Sequence, residues 1–326
     1  MAPTNRVKRR SRFRSGWSLA ALVLLCPFAG HAQAARSLPL PPDAPAISVQ
    51  AELVVVPVRV LDGSGDFVPN LTLDNFRVYE NGRLQRVNLF EQEDTPVTVG
   101  LVVDHSRSMG PKLQEVATAV VSFAHSSNPQ DEMFVVDFND SVSLESPNGK
   151  PFTHDANELG RAVSAVSARG QTALYDALYE ALNHLQLAHG EKKALVVVSD
   201  GGDNASRHKF ADVLALARRS QTVIYSIGLI GSSNEEEDPR VLRRLCDETG
   251  GIAYFPEAAE SVADVSTRIA RDLREQYTLG FAPEQTDSAD SLRKIEVKVT
   301  APGHGKLRVQ SRRGYVRSEK SGKDAS

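Results

Sequence analysis

Hydrophobic and polar positions alternate with a period of two near both ends of the chain. Apolar side chains occupy alternate positions over residues 47–55 and then shift to the other parity over residues 56–60, which predicts a strand with a bulge or break near Pro57. Residues 77–80 and 84–90 flank Asn81-Gly82, and this dipeptide favours a tight hairpin because both residues tolerate positive φ. The first part of the chain is therefore predicted to be a β module.

Between residues 95 and 276 the pattern changes to alternating strands and helices. Continuous apolar runs at residues 97–103 and 195–198 are typical of central strands that are covered on both faces. Further strands are predicted at 132–138, 223–229 and 252–255, and helices at 111–126, 172–188, 210–220, 239–249 and 261–276. This alternation predicts an α/β fold with a doubly wound, mostly parallel sheet.

The period of two returns over residues 277–281 and 294–299, and a further strand is predicted at 307–311. We expect these strands to pack with the N-terminal ones in a small β-sandwich that flanks the α/β sheet. The predicted organisation is an N-terminal β module at 47–94, an α/β domain at 95–276, C-terminal strands at 277–317 and a disordered tail at 318–326.

The first 34 residues have the pattern of a targeting segment. Six basic side chains and no acidic ones precede an apolar stretch at 19–25, and Ala32-Gln33-Ala34 places small residues before a cleavage point. This predicts a secretory signal peptide cleaved after Ala34, hence a secreted or periplasmic protein, followed by a Pro-rich linker at 35–46. The apolar stretch is shorter than the ~20 residues of a membrane-spanning helix, so no span is expected after cleavage. An uncleaved membrane anchor is the alternative.

The charge of the chain excludes some classes of binding partner. The chain has a formal charge of −3, and without the six N-terminal basic residues it carries 32 basic against 41 acidic side chains. Such an acidic body argues against nonspecific binding to nucleic acid or to an anionic membrane. After cleavage Cys246 is the one remaining cysteine, which excludes an intramolecular disulfide and favours a buried structural thiol.

Oxygen-bearing side chains cluster where the two apolar strands end. Asp104, Ser106 and Ser108 follow the first strand at every second position, and Asp200 follows the second strand. Thr172 precedes a Leu-rich helix and is a third candidate. The carboxyl ends of strands in an open α/β sheet are where ligands bind, and we expect these side chains to converge there if the two strands flank the switch point.

Two carboxylates with several hydroxyls form a donor set of hard oxygens, which suits Mg²⁺ or Mn²⁺ better than Zn²⁺ or Cu²⁺. These groups alone would not saturate an octahedral ion. Water or an Asp or Glu carboxylate from a partner protein could complete the shell. Taken singly, each residue also has a structural explanation: Asp104, Ser106 and Asp200 as turn residues, and Ser108 and Thr172 as helix caps.

At these positions the chain resembles the von Willebrand factor type A (VWA) domain. Asp104-x-Ser106-x-Ser108, Thr172 and Asp200 are similar to the metal ion-dependent adhesion site of that family. The surroundings of Thr172 and the triplet Ser199-Asp200-Gly201 are typical of its bacterial members. The resemblance covers about residues 95–276. The flanking segments, with Leu71-Thr72 and Arg313-Gly314-Tyr315, resemble a bacterial secreted subfamily that surrounds the domain with β-strands.

The resemblance implies a secreted, non-enzymatic adhesion or assembly module. In the family the serines and the threonine coordinate the ion directly or through water, and the aspartates often act through water. His105 and Arg107, between the site residues, are choices of this chain that could influence partner preference. Two other functions remain open: a Mg²⁺-dependent phosphohydrolase with Asp104 as nucleophile, and a structural envelope protein whose site has no metal role.

Overall fold

The computed structural model describes residues 53–92, 94–145, 149–190, 192–231, 237–256, 261–283 and 291–316. The predicted signal peptide, linker and tail, and the start of the first predicted strand, lie outside the described residues. No helix in the described part is long and apolar enough to cross a membrane.

The described residues form the following elements in chain order. The strands are β1 (Val54–Leu61), β2 (Phe76–Glu80), β3 (Arg83–Gln85), β4 (Val87–Glu91), β5 (Thr98–Asp104), β6 (Glu132–Phe138), β7 (Val142–Glu145), β8 (Lys193–Ser199), β9 (Val223–Gly228), β10 (Ala253–Tyr254), β11 (Tyr277–Phe281), β12 (Leu292–Val299), β13 (Arg308–Ser311) and β14 (Gly314–Val316). The α-helices are α1 (Leu113–Ser126), α2 (Ala156–Ala165), α3 (Leu174–His184), α4 (Phe210–Ser220), α5 (Pro239–Thr249) and α6 (Val262–Arg274).

The central sheet has the strand order β10-β9-β8-β5-β6-β7, and it is parallel except for the antiparallel edge strand β7. The chain leaves β5 towards β6 and later returns on the other side as β8. The switch point therefore lies between β5 and β8, the two apolar strands of the sequence. Their registered pairing, which ends at Val103 and Val198, aligns their carboxyl ends.

Helices cover both faces of this sheet, as the continuous apolar runs predict. One face packs against α1, α2 and α6, and the other packs against α3, α4 and α5. Every residue of β5 is buried, because alternate side chains enter the two separate cores. The predicted doubly wound α/β class is thus confirmed.

Strands from the two ends of the described chain form the flanking β-sandwich. One sheet has the order β13-β1-β11-β4 and the other the order β14-β12-β2-β3. They share a core that includes Val56, Phe76, Tyr277 and Val297. The predicted hairpin forms at Asn81-Gly82, where both residues have positive φ, of 48° and 81°.

The predicted bulge or break near Pro57 is wrong. Val54, Val56, Val58 and Val60 point into the core from one continuous strand, and Pro57 pairs in register with Thr278. The backbone N–H of Val55 donates to Gln221 Oε1 and so points away from β11. Pro57 lies two residues further along the strand, and its backbone nitrogen faces the same way. Pairing with β13 on that side begins only at Val58, so the N–H that proline lacks is not needed at this position.

The ends of several other strands and helices also differ from those predicted from the sequence. The single strand predicted at 84–90 is two strands, β3 and β4, which belong to different sheets of the sandwich. The helix predicted from residue 111 begins as a 3₁₀ segment at Arg107–Lys112, and the helix predicted from residue 172 begins at Leu174. Helix α2 and strand β7 had no predicted counterpart, because short elements with few apolar positions give weak periodicity.

Candidate metal centre

Asp104 and Asp200 face each other across the switch point. Asp104 is the last residue of β5, and Asp200 directly follows β8 on the adjacent strand. Both side chains are buried, at 0 % and 2 % exposure. Since adjacent parallel strands end at the same edge, the pairing of β5 with β8 by itself brings these carboxylates into one cluster.

Hydroxyl groups connect the two aspartates in a continuous chain of hydrogen bonds. Ser108 Oγ donates to Asp200 Oδ2 at 2.8 Å, and the hydroxyls of Ser106 and Ser108 are 3.1 Å apart. The backbone N–H of Ser106 donates to Asp104 Oδ1 at 2.8 Å. The structure therefore brings four of the five predicted residues together through direct contacts.

Thr172, the fifth, is held beside the loop that follows β8. Its backbone N–H donates to Asn204 Oδ1 at 2.9 Å, and its carbonyl accepts the N–H groups of Asn204 and Ala205. Its side chain is buried, at 6 % exposure. Thr172 thus joins the loop of Asp200 through its backbone, just before α3.

Ser199 also belongs to the cluster, although the sequence pattern predicted no role for it. Its hydroxyl donates to Asp104 Oδ2 at 2.7 Å and accepts the N–H of Gly201 at 3.0 Å. It therefore connects the end of β5 directly with the turn that carries Asp200. Its place at the end of a strand adjacent to Asp104 is the signal that could have identified it.

The electrostatics of the cluster favour a bound cation. Burial raises the pKa of Asp104 to about 6, hydrogen bonds from Ser106 and Ser199 oppose that shift, and the nearby charge of Asp200 adds to it. In the described part of the chain no ion pair joins either aspartate to a basic side chain. A divalent cation would neutralise both carboxylates, so the donor set and its charge fit the ion that the family implies.

The aspartates also serve as turn residues, as their alternative explanation predicted. Asp200 Oδ1 accepts the N–H of Gly202 at 3.1 Å, in the same way that Asp104 accepts that of Ser106. The two predicted caps are wrong: Ala173 is the N-cap of α3, and Ser108 lies inside a 3₁₀ segment with its hydroxyl on Asp200. Among the described residues, moreover, no group of three His, Cys, Asp or Glu could hold a metal, so such a site must rely on hydroxyls.

The side chain of His105 does not reach the surface, so it cannot contact a partner directly. Its side chain is fully buried, with Nε2 3.1 Å from the carbonyl of Val163 and Nδ1 3.1 Å from Asp137 Oδ1. Burial opposes a charged ring, yet Asp137 outweighs it and raises the pKa of His105. This residue stabilises the loop from inside, and of the two only Arg107 is exposed.

The comparison with protein families identifies the domain. The family model of the von Willebrand factor type A domain matches residues 98–268, which is more than half of the chain. The protein belongs to the VWA family. The matched residues begin with β5 and end within α6, and they include all five predicted site residues. No curated protein matches the chain.

One solved structure supports this fold. A von Willebrand factor type A protein from Catenulispora acidiphila superposes with a TM-score of 0.51 at 12 % identity, over 82 % of this chain and 74 % of its own. An aerotolerance-related membrane protein from Bacteroides fragilis gives a TM-score of 0.46 at 16 % identity, over 55 % of this chain and 99 % of its own. At 12 % identity the similarity to the Catenulispora acidiphila structure shows the fold alone.

Proposed function

We propose that this VWA protein is a secreted, non-enzymatic protein-binding module that depends on Mg²⁺ or Mn²⁺ and captures an Asp or Glu carboxylate of its partner. Family membership supports a protein-interaction module as the general class. The observation that carries the metal-dependent form is the continuous set of contacts from Ser199 through Asp104, Ser106 and Ser108 to Asp200.

The roles of the residues follow from their contacts. Ser106 and Ser108 would offer hydroxyl oxygens to the ion, and Asp104 and Asp200 would offer negative charge directly or through water. For Thr172 the contacts show the backbone alone, and its role as a hydroxyl ligand rests on the resemblance to the family's metal site. The ion would supply positive charge and an open coordination position for an incoming carboxylate. Ser199 and the N–H groups of Ser106 and Gly202 orient the two aspartates, so that little ordering would remain for the binding step.

The same geometry argues against Asp104 as a nucleophile. The carboxylate is fully buried, and its two oxygens accept hydrogen bonds from Ser106 and Ser199. Nucleophilic catalysis by a carboxylate also needs a nearby general acid or base. His105 is directed to Val163 and Asp137 instead. Hydrolysis of a generic phosphate ester in Mg²⁺, abolished by Asp104→Asn, would restore the enzyme hypothesis.

Calorimetric titration of the full chain with MgCl₂ and MnCl₂ tests the metal site. We expect one ion to bind, and we expect Ser108→Ala to weaken it by about tenfold or more, because the hydroxyl between the two carboxylates is lost. Ser164→Ala in α2, an exposed serine, is the matched control and should bind like the wild type.

Uptake of neither ion by the wild-type chain would refute the proposal, as would equal affinities of the Ser108 and Ser164 variants. Circular dichroism of each variant separates loss of the site from loss of the fold. Secretion is tested separately: N-terminal sequencing of the exported protein should begin at Ala35, whereas a chain that retains Met1 in the membrane fraction would support the uncleaved anchor.

A further inference from the structure

Three arginines lie on the three loops that carry the candidate metal centre. Arg107 stands between Ser106 and Ser108, Arg169 shortly precedes Thr172, and Arg207 follows Asp200 in the loop after β8. We call these three residues the arginine rim: Arg107, Arg169 and Arg207.

Backbone contacts hold the arginine rim next to the centre. The N–H of Arg169 donates to the carbonyl of His105 at 2.9 Å, which fixes the loop of Thr172 against the loop of Asp104. The N–H of Arg207 donates to both carboxylate oxygens of Asp176, at 3.1 and 3.0 Å, in the first turn of α3. The three positions are therefore set by the same loops that set the site.

The three arginine side chains are exposed to solvent. Among the described residues none of them forms an ion pair or a side-chain hydrogen bond. Two other exposed arginines are paired: Arg240 with Asp238 at 2.9 Å and Arg274 with Asp94 at 2.8 Å. The arginine rim thus presents free positive charge on a protein whose overall charge is negative.

Acidic side chains of the same loops are engaged within the protein. Asp203 accepts the N–H of Tyr175 and the hydroxyl of Ser206. Asp176 accepts three donors of Arg207 and His208, and although burial opposes it, these bonds hold its pKa below the usual range. Asp140, beside Gly170, is an exposed acid at this edge and reduces the excess positive charge without cancelling it.

We infer that the partner presents an acidic segment rather than a single acidic residue, with one carboxylate at the metal centre and neighbouring carboxylates on Arg107, Arg169 and Arg207. This inference rests on the proposed function. Guanidinium groups match carboxylates in geometry and charge, and a cluster of one sign also steers an acidic chain towards the site. Exposed pairs of this kind contribute a few-fold each, so we expect about tenfold from the three together.

Fluorescence anisotropy with synthetic peptides tests the inference on the full chain in Mg²⁺. The probes are an acidic peptide of about ten residues, in which Asp alternates with Ser, and a peptide of equal length with a single central Asp. We expect the first to bind about tenfold more tightly, and we expect this preference to shrink as salt rises. An oligothymidylate of similar length is the third probe and should bind more weakly than the acidic peptide.

A triple variant, Arg107→Gln, Arg169→Gln and Arg207→Gln, should reduce the preference for the acidic peptide to less than about threefold. It should not weaken Mg²⁺ binding, because the removed charges repel the ion. The matched control is Arg86→Gln, Lys306→Gln and Arg308→Gln, which removes the same charge from exposed positions of the sandwich and should keep the preference.

Equal affinity for the two peptides, no measurable binding of the acidic peptide, equal losses in both triple variants, or oligothymidylate binding as tight as that of the acidic peptide would each overturn the inference. Calorimetry on the same samples distinguishes failure of the arginine-rim inference from failure of the proposed function. A chain that takes up Mg²⁺ but shows no preference refutes only the arginine rim, whereas a chain that takes up no Mg²⁺ refutes the metal centre.

Discussion

At the scale of single residues, Gly201 is decisive for the position of Asp200. Its φ is +84°, a conformation that side-chain-bearing residues rarely adopt. A Cβ at this position would lie 2.4 Å from the carbonyl oxygen of Asp238 and 3.1 Å from Leu242 Cγ. Its N–H also donates to Ser199 Oγ, the hydroxyl that holds Asp104. The turn can therefore approach α5 this closely only without a side chain.

We expect Gly201→Ala to weaken Mg²⁺ binding by about tenfold or more and to lower the free energy of unfolding by about 1–3 kcal/mol, because backbone strain and the contact with Asp238 displace the turn. Calorimetry and urea unfolding measure the two effects. Gly65→Ala is the control: its φ is +91° but nothing lies within 4 Å of the added Cβ. Unchanged metal affinity in the Gly201 variant would contradict this account of the turn.

At the scale of elements, the ends of the helices are fixed by short polar contacts. Ser261 begins α6, where its hydroxyl accepts the N–H of Asp264 at 3.1 Å and the Asp264 carboxylate in turn accepts the Ser261 hydroxyl proton. Helix α5 starts in the same way at Asp238, with Pro239 at its first position, and ends at Gly250 with φ of 91°. Such signals are readable in sequence, which is why the bounds predicted for α5 agree with the structure.

Ser261→Ala should lower the free energy of unfolding by about 1 kcal/mol, since an orphan N–H at the start of α6 loses its acceptor. Chemical denaturation monitored by circular dichroism gives the value. Ser164→Ala, an exposed substitution inside α2, should be neutral or slightly stabilising because alanine has the higher helix propensity. If both variants change stability equally, the Ser261 cap contributes nothing.

At the scale of the whole molecule, a buried ion pair joins the sandwich to the α/β sheet. Arg59 of β1 contacts the Asp272 carboxylate of α6, and their side chains are 12 % and 0 % exposed. The hydroxyl of Tyr254 donates to the other Asp272 oxygen at 2.5 Å. Burial raises the pKa of Asp272, and the Arg59 charge opposes that shift. The charge on Asp272 therefore depends on a strand from the opposite end of the chain.

Arg59→Ala should lower the free energy of unfolding by about 3–5 kcal/mol, because Asp272 would be left buried without its cation. The comparison is Arg313→Ala, which removes an exposed pair with Asp247 and should cost less than about 1 kcal/mol. Urea unfolding of the two variants and the wild type measures both. Similar losses in the two variants would show that the Arg59–Asp272 contact does not couple the two layers.

Features of the fold that depend on local sequence were predictable, whereas features that depend on contacts between distant segments were not. The α/β class, most helices and strands, and the sandwich were predictable, because periodicity reports which face of a local segment is buried. The prediction at Pro57 failed since a strand's register depends on the partners β11 and β13, which lie far away in sequence. The division between β3 and β4 was missed for a similar reason, because nonlocal pairing decides which sheet each strand joins. Helix α2 was missed because its few apolar positions give weak periodicity.

For the site, the sequence by itself determined which oxygen-bearing side chains follow the two apolar strands, since each one adjoins its strand along the chain. Only the tertiary structure decided that β5 and β8 are neighbours, and with that the contacts of Ser199 with Asp104 and of Ser108 with Asp200. The same is true of the inward direction of His105 and of the lack of partners for the arginine rim among the described residues. These features depend on contacts between segments remote in sequence, and no local pattern encodes them.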